Sequence, residues 1–450
     1  MRESVTAIFV HDDDIFIIKR QEYLRAFPGY YAFPGGKIDA ADSEHRYSHP
    51  LMSAFPGEQM RALTRELEEE LGYDLEASVE AGEVESIVHF GLAQTPAFQK
   101  IRFSTHYFKI TFNHRPLLQP DNQEIAWSGW LKNKALWQRY CCGEGMMVTP
   151  TANTVQALSE DISAVGTLPF NLEYDSEREL PYVEPISGLG QIAVPSNTLP
   201  PAEYTNALLI GGVGHPRYLV DPSPKSSIVL ERLVNTLERR PIDGILISHH
   251  HPDHREQAPQ LARRLGVPLL CTRITRERLL KREGEGYLEN VECIDIAEGH
   301  KLTLWLGRPV HCYELPGHDD GMMGLAPDDM AWFFVSDLVQ QMATVVIPEP
   351  EGDMQAYFDS LERVIGLNPK AIIPSHGTAV GGTHMLRQTL QHRQGREVMV
   401  ASLCAQGKMA EEITETIYPG LDKKLLPLAL QNVRQHIKKL GLDTNGSDLS

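Results

Sequence analysis

The stretch Ser248-His249-His250-His251-Pro252-Asp253-His254 contains four histidines and a carboxylate within six consecutive residues. It follows the apolar run 242–247, which is typical of a buried β-strand. Imidazole nitrogens and carboxylate oxygens are ligands that zinc prefers, and the end of a strand holds such side chains rigidly. The stretch therefore predicts a metal site at the end of a strand.

Further ligands are expected from elsewhere in the chain, because one loop cannot close the coordination shells of two metals. Three downstream positions, each after an apolar run, have suitable side chains: His318, Asp337 and His376. Each of them alone would more often be a structural residue. Together, and in this order, they indicate one composite site.

The whole series resembles the metallo-β-lactamase superfamily over residues 185–380. The resemblance implies an αββα sandwich with two metal ions in the cleft between its sheets. The matching motifs are Asp221, His249-x-His251-x-Asp253-His254, His318, Asp337 and His376. By this resemblance His249, His251 and His318 hold one metal, and Asp253, His254 and His376 hold the second. Asp337 bridges the two, Asp221 orients the ligands, and His250 is not expected to bind metal.

The ligand types favour a pair of zinc ions. Asp253 followed by His254 is typical of the zinc relatives, and an aspartate at 337 instead of a cysteine resembles the hydrolases and not the antibiotic-destroying β-lactamases. Two cations about 3.5–4 Å apart would lower the pKa of a bridging water and stabilise charge on an attacked ester, thioester or phosphodiester. Asp253 is the candidate proton acceptor.

A second group of candidate ligands lies in a predicted helix at 58–71. Glu66, Glu69 and Glu70 share one face of that helix, where they would repel one another unless a divalent cation lay between them. Oxygen-only ligation favours Mg²⁺ or Mn²⁺. The alternative is a solvated acidic helix, because glutamate is a good helix former on a surface.

The order of these residues is similar to a Nudix box. Residues 65–73, Arg-Glu-Leu-Glu-Glu-Glu-Leu-Gly-Tyr, resemble its second half, and Gly36 resembles its opening glycine. Gly36 precedes Arg65 by 29 positions, farther than in the usual box, so an inserted loop is expected. The resemblance implies metal-assisted hydrolysis of a diphosphate, with Glu66, Glu69 and Glu70 binding the cations and Arg65 holding the glutamates.

The same region is similar to the Nudix subgroup that contains the coenzyme A and acyl-coenzyme A diphosphatases. The likeness rests on the long insertion after Ile38-Asp39 and on residues 102–108 and 148–151. We therefore expect small-molecule substrates that are nucleoside diphosphate-linked compounds or thioesters. The alternative is a Nudix domain that senses a nucleotide ligand and regulates the hydrolase without turnover.

These signals predict a multidomain protein of α/β and α+β class. We expect a Nudix α/β/α sandwich at 1–170, a proline-rich linker at 171–184, an αββα domain at 185–382 and a helical tail at 383–450. The tail has three predicted helices, 384–404, 409–417 and 425–440, and resembles the winged-helix appendix of a β-lactamase-like subgroup that includes endoribonucleases. RNA is therefore a possible partner, and the alternative is a solvated helical tail that packs over the cleft.

Charge and composition narrow the possible partners. The net charge of −18 argues against broad nonspecific binding to nucleic acid or to an anionic membrane. Six cysteines without C-x-x-C spacing are expected to be reduced thiols of a cytoplasmic protein. No run approaches the length of a membrane span, and the sequence does not indicate an oligomeric state.

Overall fold

The computed structural model describes residues 1–43, 45–98, 102–168, 170–341 and 343–442. The chain forms two compact units, of which the first comprises Met1–Ser176 with Pro181–Gly190 and the second comprises Glu177–Leu180 with the chain from Gln191 onward. Residues 443–450, the end of the predicted tail, lie outside the described residues. Among the described residues, no helix is both long enough and apolar enough to cross a bilayer.

The first unit contains a mixed sheet with helices on both faces. The strands of this sheet are β1 (Arg2–His11), β2 (Asp14–Arg20), β3 (Tyr31–Ala32), β4 (Val84–Gln94), β5 (Phe103–Phe112) and β6 (Ile125–Lys132). The unit also contains β7 (Tyr182–Ile186), which does not belong to this sheet. The sheet order is β3-β2-β1-β5-β4, with β6 paired to β2, and β1 and β5 run parallel. The helices are α1 (Pro50–Ser53), α2 (Gly57–Leu71), α3 (Leu75–Glu80), α4 (Asn133–Cys141) and α5 (Thr149–Glu160), with a one-turn 3-10 helix at Ala40–Asp42.

Strand β1 shows why both faces of this sheet are covered. Val5, Ala7 and Phe9 pack into the core beneath α2, whereas Ile8 and Val10 pack into the core beneath α4 and α5. Successive side chains of a strand point to opposite faces, so an uninterrupted apolar run requires cover on both sides. This arrangement is the predicted α/β/α sandwich.

The second unit contains two sheets. Its strands are β8 (Leu189–Pro195), β9 (Tyr204–Ile210), β10 (Tyr218–Val220), β11 (Gly244–Leu246), β12 (Leu269–Cys271), β13 (Cys293–Asp295), β14 (Lys301–Trp305), β15 (Arg308–Glu314), β16 (Met323–Pro327), β17 (Phe333–Ser336), β18 (Ala371–Pro374) and β19 (Val380–Gly381). In this unit one sheet runs β13-β12-β11-β10-β9-β8 and the other runs β14-β15-β16-β17-β18-β19.

Helices cover these sheets, as an αββα sandwich requires. They are α6 (Ser227–Glu238), α7 (Pro252–Arg255), α8 (Ala258–Leu265), α9 (Arg273–Glu283) and α10 (Met354–Leu367), with a one-turn 3-10 helix at Glu285–Leu288. Phe333 and Val335 of β17 and Ile372 of β18 pack with Tyr357 and Leu361 of α10 in one buried core. Together with the first unit, these layers confirm the predicted multidomain fold class.

The C-terminal tail consists of α11 (His384–Ala405), α12 (Ala410–Ile417) and α13 (Leu426–Lys439), close to the three predicted helices. Its small core combines Val400, Ile413, Ile417, Val433 and Ile437.

The basic side chains of α13 do not form an unbalanced positive surface. Arg434 lies 2.9 Å from Glu411, Lys438 lies 3.9 Å from Asp353, and Lys439 lies 2.7 Å from Glu397. Each of these cations therefore already has a carboxylate beside it, which weakens the expectation that the tail binds RNA.

His436 of α13 makes the stability of the tail depend on pH. Its side chain is buried, and it faces Arg393, Lys439 and the Glu397 carboxylate, which lies 3.3 Å from Nδ1. Burial, together with Arg393, lowers the pKa of His436 to about 4. In the unfolded chain a histidine titrates near pH ~6.5, so between these values the unfolded state binds more protons and folding weakens as the pH falls.

We expect His436→Gln to flatten this pH dependence. The contribution of His436 to the slope is at most about 1.4 kcal/mol per pH unit within the window. Free energies of unfolding of the full chain, measured at pH 7 and pH 5 for both proteins, test this. The prediction is contradicted if the variant loses as much stability at pH 5 as the wild type does.

Candidate metal centres

Strand ends position three of the seven predicted ligands of the second unit, together with Asp221. Asp221 directly follows β10 and His249 lies just beyond β11, while Asp337 directly follows β17 and His376 lies just beyond β18. Within each of these two pairs the strands are parallel neighbours. Parallel neighbours end at the same edge of a sheet, so their following side chains gather there.

The other ligands come from a short helix and a tight turn. Helix α7 carries Asp253 and His254, and His251 immediately precedes it. His318 follows Gly317, whose φ is +138° and whose hypothetical Cβ would lie 2.3 Å from the backbone of Tyr357. Only glycine fits there without strain, so the Pro-Gly turn is what delivers His318 to the site.

Three imidazoles form the first cluster. His251 Nδ1 lies 3.1 Å from His249 Nε2 and 2.9 Å from His318 Nε2, and the three residues are arranged as a group that could hold a metal ion. Burial and the adjacent His251 lower the pKa of His318 to about 4, and burial with the neighbouring histidines lowers the pKa of His249 well below its usual value. Neutral imidazoles of this kind have the lone pairs that a metal requires.

Asp337 connects this cluster to the second one. Its Oδ2 lies 3.7 Å from His318 Nε2 and 3.5 Å from His254 Nε2, and its Oδ1 lies 3.5 Å from His376 Nε2. Asp253 Oδ2 also lies 3.5 Å from His376 Nε2. The structure thus places Asp337 between the two predicted groups of ligands.

Buried atoms without partners show that these residues fit a cation. Among the described residues, His254 Nε2, His376 Nε2 and Asp337 Oδ1 are buried and have no hydrogen-bond partner. Such an atom costs about 1–3 kcal/mol when it is left unsatisfied. Three of them facing one another are explained by a bound divalent ion, which would satisfy all three at once.

Outer hydrogen bonds determine which nitrogen of each imidazole faces the centre. Nδ1 of His318 donates to the Val346 carbonyl at 2.6 Å, and Nδ1 of His376 donates to the Tyr204 carbonyl at 2.9 Å. Nδ1 of His254 faces a carboxylate oxygen in the same way, as described next. Since these oxygens can only accept, each Nδ1 carries a proton and Nε2 is the nitrogen that faces the centre.

Asp221 holds two of the ligand-bearing segments. Its Oδ2 accepts from His254 Nδ1 at 2.9 Å and from Ser248 Oγ at 2.6 Å, and its Oδ1 accepts from Ser248 N at 2.7 Å. Asp221 and Ser336 both adopt left-handed backbone conformations, with φ of 50° and 49°. Non-glycine residues seldom adopt this conformation, and here Ser248 Oγ lies 2.8 Å from Ser336 Oγ.

Glu351 is a functional candidate that the sequence did not reveal. His251 Nε2 donates to Glu351 Oε1 at 3.3 Å, so His251 Nδ1 is the nitrogen that faces His249 and His318. This hydrogen bond lowers the pKa of Glu351 to about 2. Glu351 lies in a loop without periodic apolar positions and 100 residues from its partner, so no local pattern marks it.

His250 takes part in a different contact. Its Nδ1 forms a short hydrogen bond with the Asp319 carboxylate, whose Oδ1 accepts from Gly321 N at 2.7 Å. His250 and Asp319 also form a possible ligand group with His251, but the short hydrogen bond already satisfies His250 Nδ1. The pair ties the loop of His249 and His251 to the loop of His318.

In the first unit, Arg65 is the centre of the candidate Nudix site. Nη1 donates to Glu66 at 2.9 Å and to Glu69 at 3.3 Å, while Nη2 donates to the Lys37 carbonyl at 2.8 Å and to Asp42 at 3.1 Å. Asp42, which is buried, belongs to the inserted loop and was not among the predicted residues. Arg65 therefore joins helix α2 to the insertion.

The predicted glutamates differ in their surroundings. Glu70 is buried, its Oε2 accepts from Gly35 N at 2.9 Å, and burial raises its pKa to about 8. A Cβ added at Gly36 would lie 2.3 Å from the Glu66 carboxylate, so a larger residue there would displace that carboxylate. Within the described residues, Glu66, Glu69 and Glu70 do not form a compact ligand group like the histidine clusters.

Three family models match segments that together make up most of the chain. A model described as the metallo-beta-lactamase superfamily matches residues 200–376, and a NUDIX domain model matches residues 1–141. A model of the beta-lactamase associated winged helix domain matches residues 410–443. The first match includes every candidate ligand of the histidine clusters, and the second includes the Arg65 site.

The individual proteins that this chain resembles have low sequence identity to it. The "Beta-lactamase-like protein 2 homolog" of Drosophila melanogaster is 24% identical over 258 residues, which are 52% of this chain and 82% of that protein. The "Lactamase-like protein nscB" of Trichophyton equinum is 26% identical over 265 residues, 56% of this chain and 74% of its own. A crystal structure of a beta-lactamase domain protein from Burkholderia ambifaria superposes with a TM-score of 0.50 at 20% identity, covering 61% of this chain and 91% of that one. This last likeness shows the fold alone.

We predict that His254→Gln removes one bound metal ion. Elemental analysis of the purified full chain, equilibrated with zinc, is expected to fall from about two ions per chain in that centre to about one. His300→Gln, which replaces an exposed histidine of the same unit, serves as the matched control and should retain both. Equal zinc content in wild type and His254→Gln would count against the ligand assignment.

Proposed function

We propose that this chain, which carries a Nudix domain, a metallo-β-lactamase superfamily domain and a β-lactamase-associated winged-helix domain, is bifunctional. These domains make it a metal-dependent hydrolase. In this proposal each of the two hydrolase domains has its own metal site and breaks a different bond. The single observation that carries the proposal for the second unit is the convergence of unpartnered His254 Nε2, His376 Nε2 and Asp337 Oδ1.

The histidine clusters would hold two zinc ions. In the proposal His249, His251 and His318 hold one ion, Asp253, His254 and His376 hold the other, and Asp337 bridges them. When bound, such a pair lowers the pKa of water and polarises the ester, thioester or phosphodiester that is attacked. The nitrogen and carboxylate donors fit zinc better than they fit Mg²⁺.

Asp253 is proposed to accept the proton of the attacking water. Its side chain is 17% exposed, against 5% for Asp337 and 0% for Asp221. Of these three carboxylates it is the one that solvent reaches best, so a proton taken there can leave the site. Asp337 and Asp221 instead keep the ligands in position.

For the Nudix domain we propose hydrolysis of a diphosphate joined to another group. Glu66, Glu69 and Glu70 would bind Mg²⁺ or Mn²⁺, and Arg65 would position the first two through the hydrogen bonds that it makes. A nucleotide sensor would not need this carboxylate set, so the arrangement favours turnover. Asp42 supports it by anchoring Arg65 from the inserted loop.

A coenzyme A thioester is proposed as the common substrate. It contains a diphosphate that the Nudix domain could hydrolyse and a thioester that the zinc centre could hydrolyse. Cleavage of RNA by the zinc centre has less support, because the basic residues of α13 are already paired with carboxylates.

We expect the two activities to separate by mutation. With Mg²⁺ and Zn²⁺ supplied, His251→Ala should reduce thioester hydrolysis of acyl-coenzyme A by about 100-fold or more in kcat/KM and leave diphosphate hydrolysis intact. Glu69→Ala combined with Glu70→Ala should do the reverse. Mass spectrometry of the products distinguishes the two broken bonds.

The choice of substrates decides between the alternatives. If acyl-coenzyme A stays intact while other diphosphates are hydrolysed, the common substrate is wrong. If a labelled RNA is cut by wild type but not by His251→Ala, the zinc centre is a nuclease. Unchanged diphosphate turnover in the double glutamate variant would remove the catalytic assignment of the Nudix domain.

A further inference from the structure

The loop Val345–Asp353, which we call the backing loop, contacts two ligands of the first histidine cluster. The carbonyl of Val346 accepts from His318 Nδ1 at 2.6 Å, and Glu351 accepts from His251 Nε2 at 3.3 Å. Outer partners of this kind fix the tautomer and the ring orientation of a ligating histidine. The position of the backing loop therefore sets the geometry of two of the three imidazoles.

Helix α13 of the tail holds both ends of the backing loop. Asn432 accepts from Ile347 N at 2.9 Å and donates to the Val345 carbonyl at 3.3 Å. Gln435 donates to the Gly352 carbonyl at 3.1 Å. Both side chains are almost completely buried, at 4% and 1% exposure.

Helix α11 adds a third contact to the same loop. Arg393 is 1% exposed, donates a short hydrogen bond to the Val345 carbonyl and stacks its guanidinium over the ring of Tyr357 at 5.4 Å. Tyr357 in turn donates to the Leu338 carbonyl at 2.7 Å, one residue after Asp337.

The hydrogen bonds from the tail to the backing loop indicate a role beyond hydrophobic packing. Buried amides and a buried guanidinium are costly unless they form hydrogen bonds, and packing alone would be served by apolar side chains. The backing loop before Pro350 has no strand or helix of its own, so some of its backbone groups need partners from outside. Asn432, Gln435 and Arg393 supply those partners.

We propose that Asn432, Gln435 and Arg393 are positioning residues of the zinc centre, which act through the backing loop on His251 and His318. The winged-helix tail is then an integral part of the metal site of its own chain. This inference rests on the proposed function only in requiring that the histidine clusters bind zinc.

The test uses the full chain with Asn432→Leu, which keeps the side-chain size and removes the hydrogen bonds. We expect zinc affinity, measured by competition with a chelator, to fall by about 10-fold. The absorption spectrum of the cobalt-substituted protein should also change, because ligand geometry changes. Glu351→Ala should act in the same direction, whereas Glu351→Gln, which keeps an acceptor oxygen, should retain most of the affinity.

Thr414→Val is the matched control, because Thr414 is buried in the same tail but its hydroxyl bonds to Ala410 within its own helix at 2.7 Å. It should leave both zinc affinity and the cobalt spectrum unchanged. If Asn432→Leu does not fold, Gln435→Met tests the other end of the backing loop. Wild-type affinity in the loop-contact variants, or an equal loss in Thr414→Val, would overturn the inference. Absence of zinc binding by the wild type would instead overturn the proposed function.

Discussion

The hydrogen bonds of one fully buried carboxylate hold the candidate zinc centre together. Asp221 accepts from the backbone and the hydroxyl of Ser248 and from His254, and the Ser248 hydroxyl also lies against Ser336, next to Asp337. A buried carboxylate needs such partners, because its burial is costly without hydrogen bonds. The loops after β10, β11 and β17 are thereby fixed relative to one another before any metal binds.

The two candidate metal sites of this chain differ in the chemistry of their donors. In the second unit, imidazoles combine with buried carboxylates, a set that suits zinc. In the first unit the predicted donors are all carboxylates, and the Arg65 guanidinium lies between Glu66 and Glu69. Oxygen donors suit Mg²⁺ or Mn²⁺. The two sets of donors therefore favour different classes of cation, and the two proposed sites can be tested separately.

Much of the fold was predictable because its signals are local. Helix α2 begins one residue before the predicted start and ends at the predicted residue, and helices α11 to α13 differ from prediction by about one residue at their ends. The structure brings together all seven predicted ligands of the histidine clusters. Glu351, Asp319 and Asp42 were missed, since they lie in loops or in a single 3-10 turn and contact partners 100, 69 and 23 positions away.

The sequence by itself determined the types of ligand, their order and the strands and helices that carry them, because hydrophobic periodicity and metal preference can be recognised in short segments. Only the tertiary structure decided which nitrogen of each imidazole faces the centre. That choice depends on outer acceptors such as Val346 and Tyr204, which lie 28 and 172 positions from His318 and His376. It also decided that α13 holds the backing loop, because a hydrogen bond between a tail amide and a loop backbone exists only after both have folded.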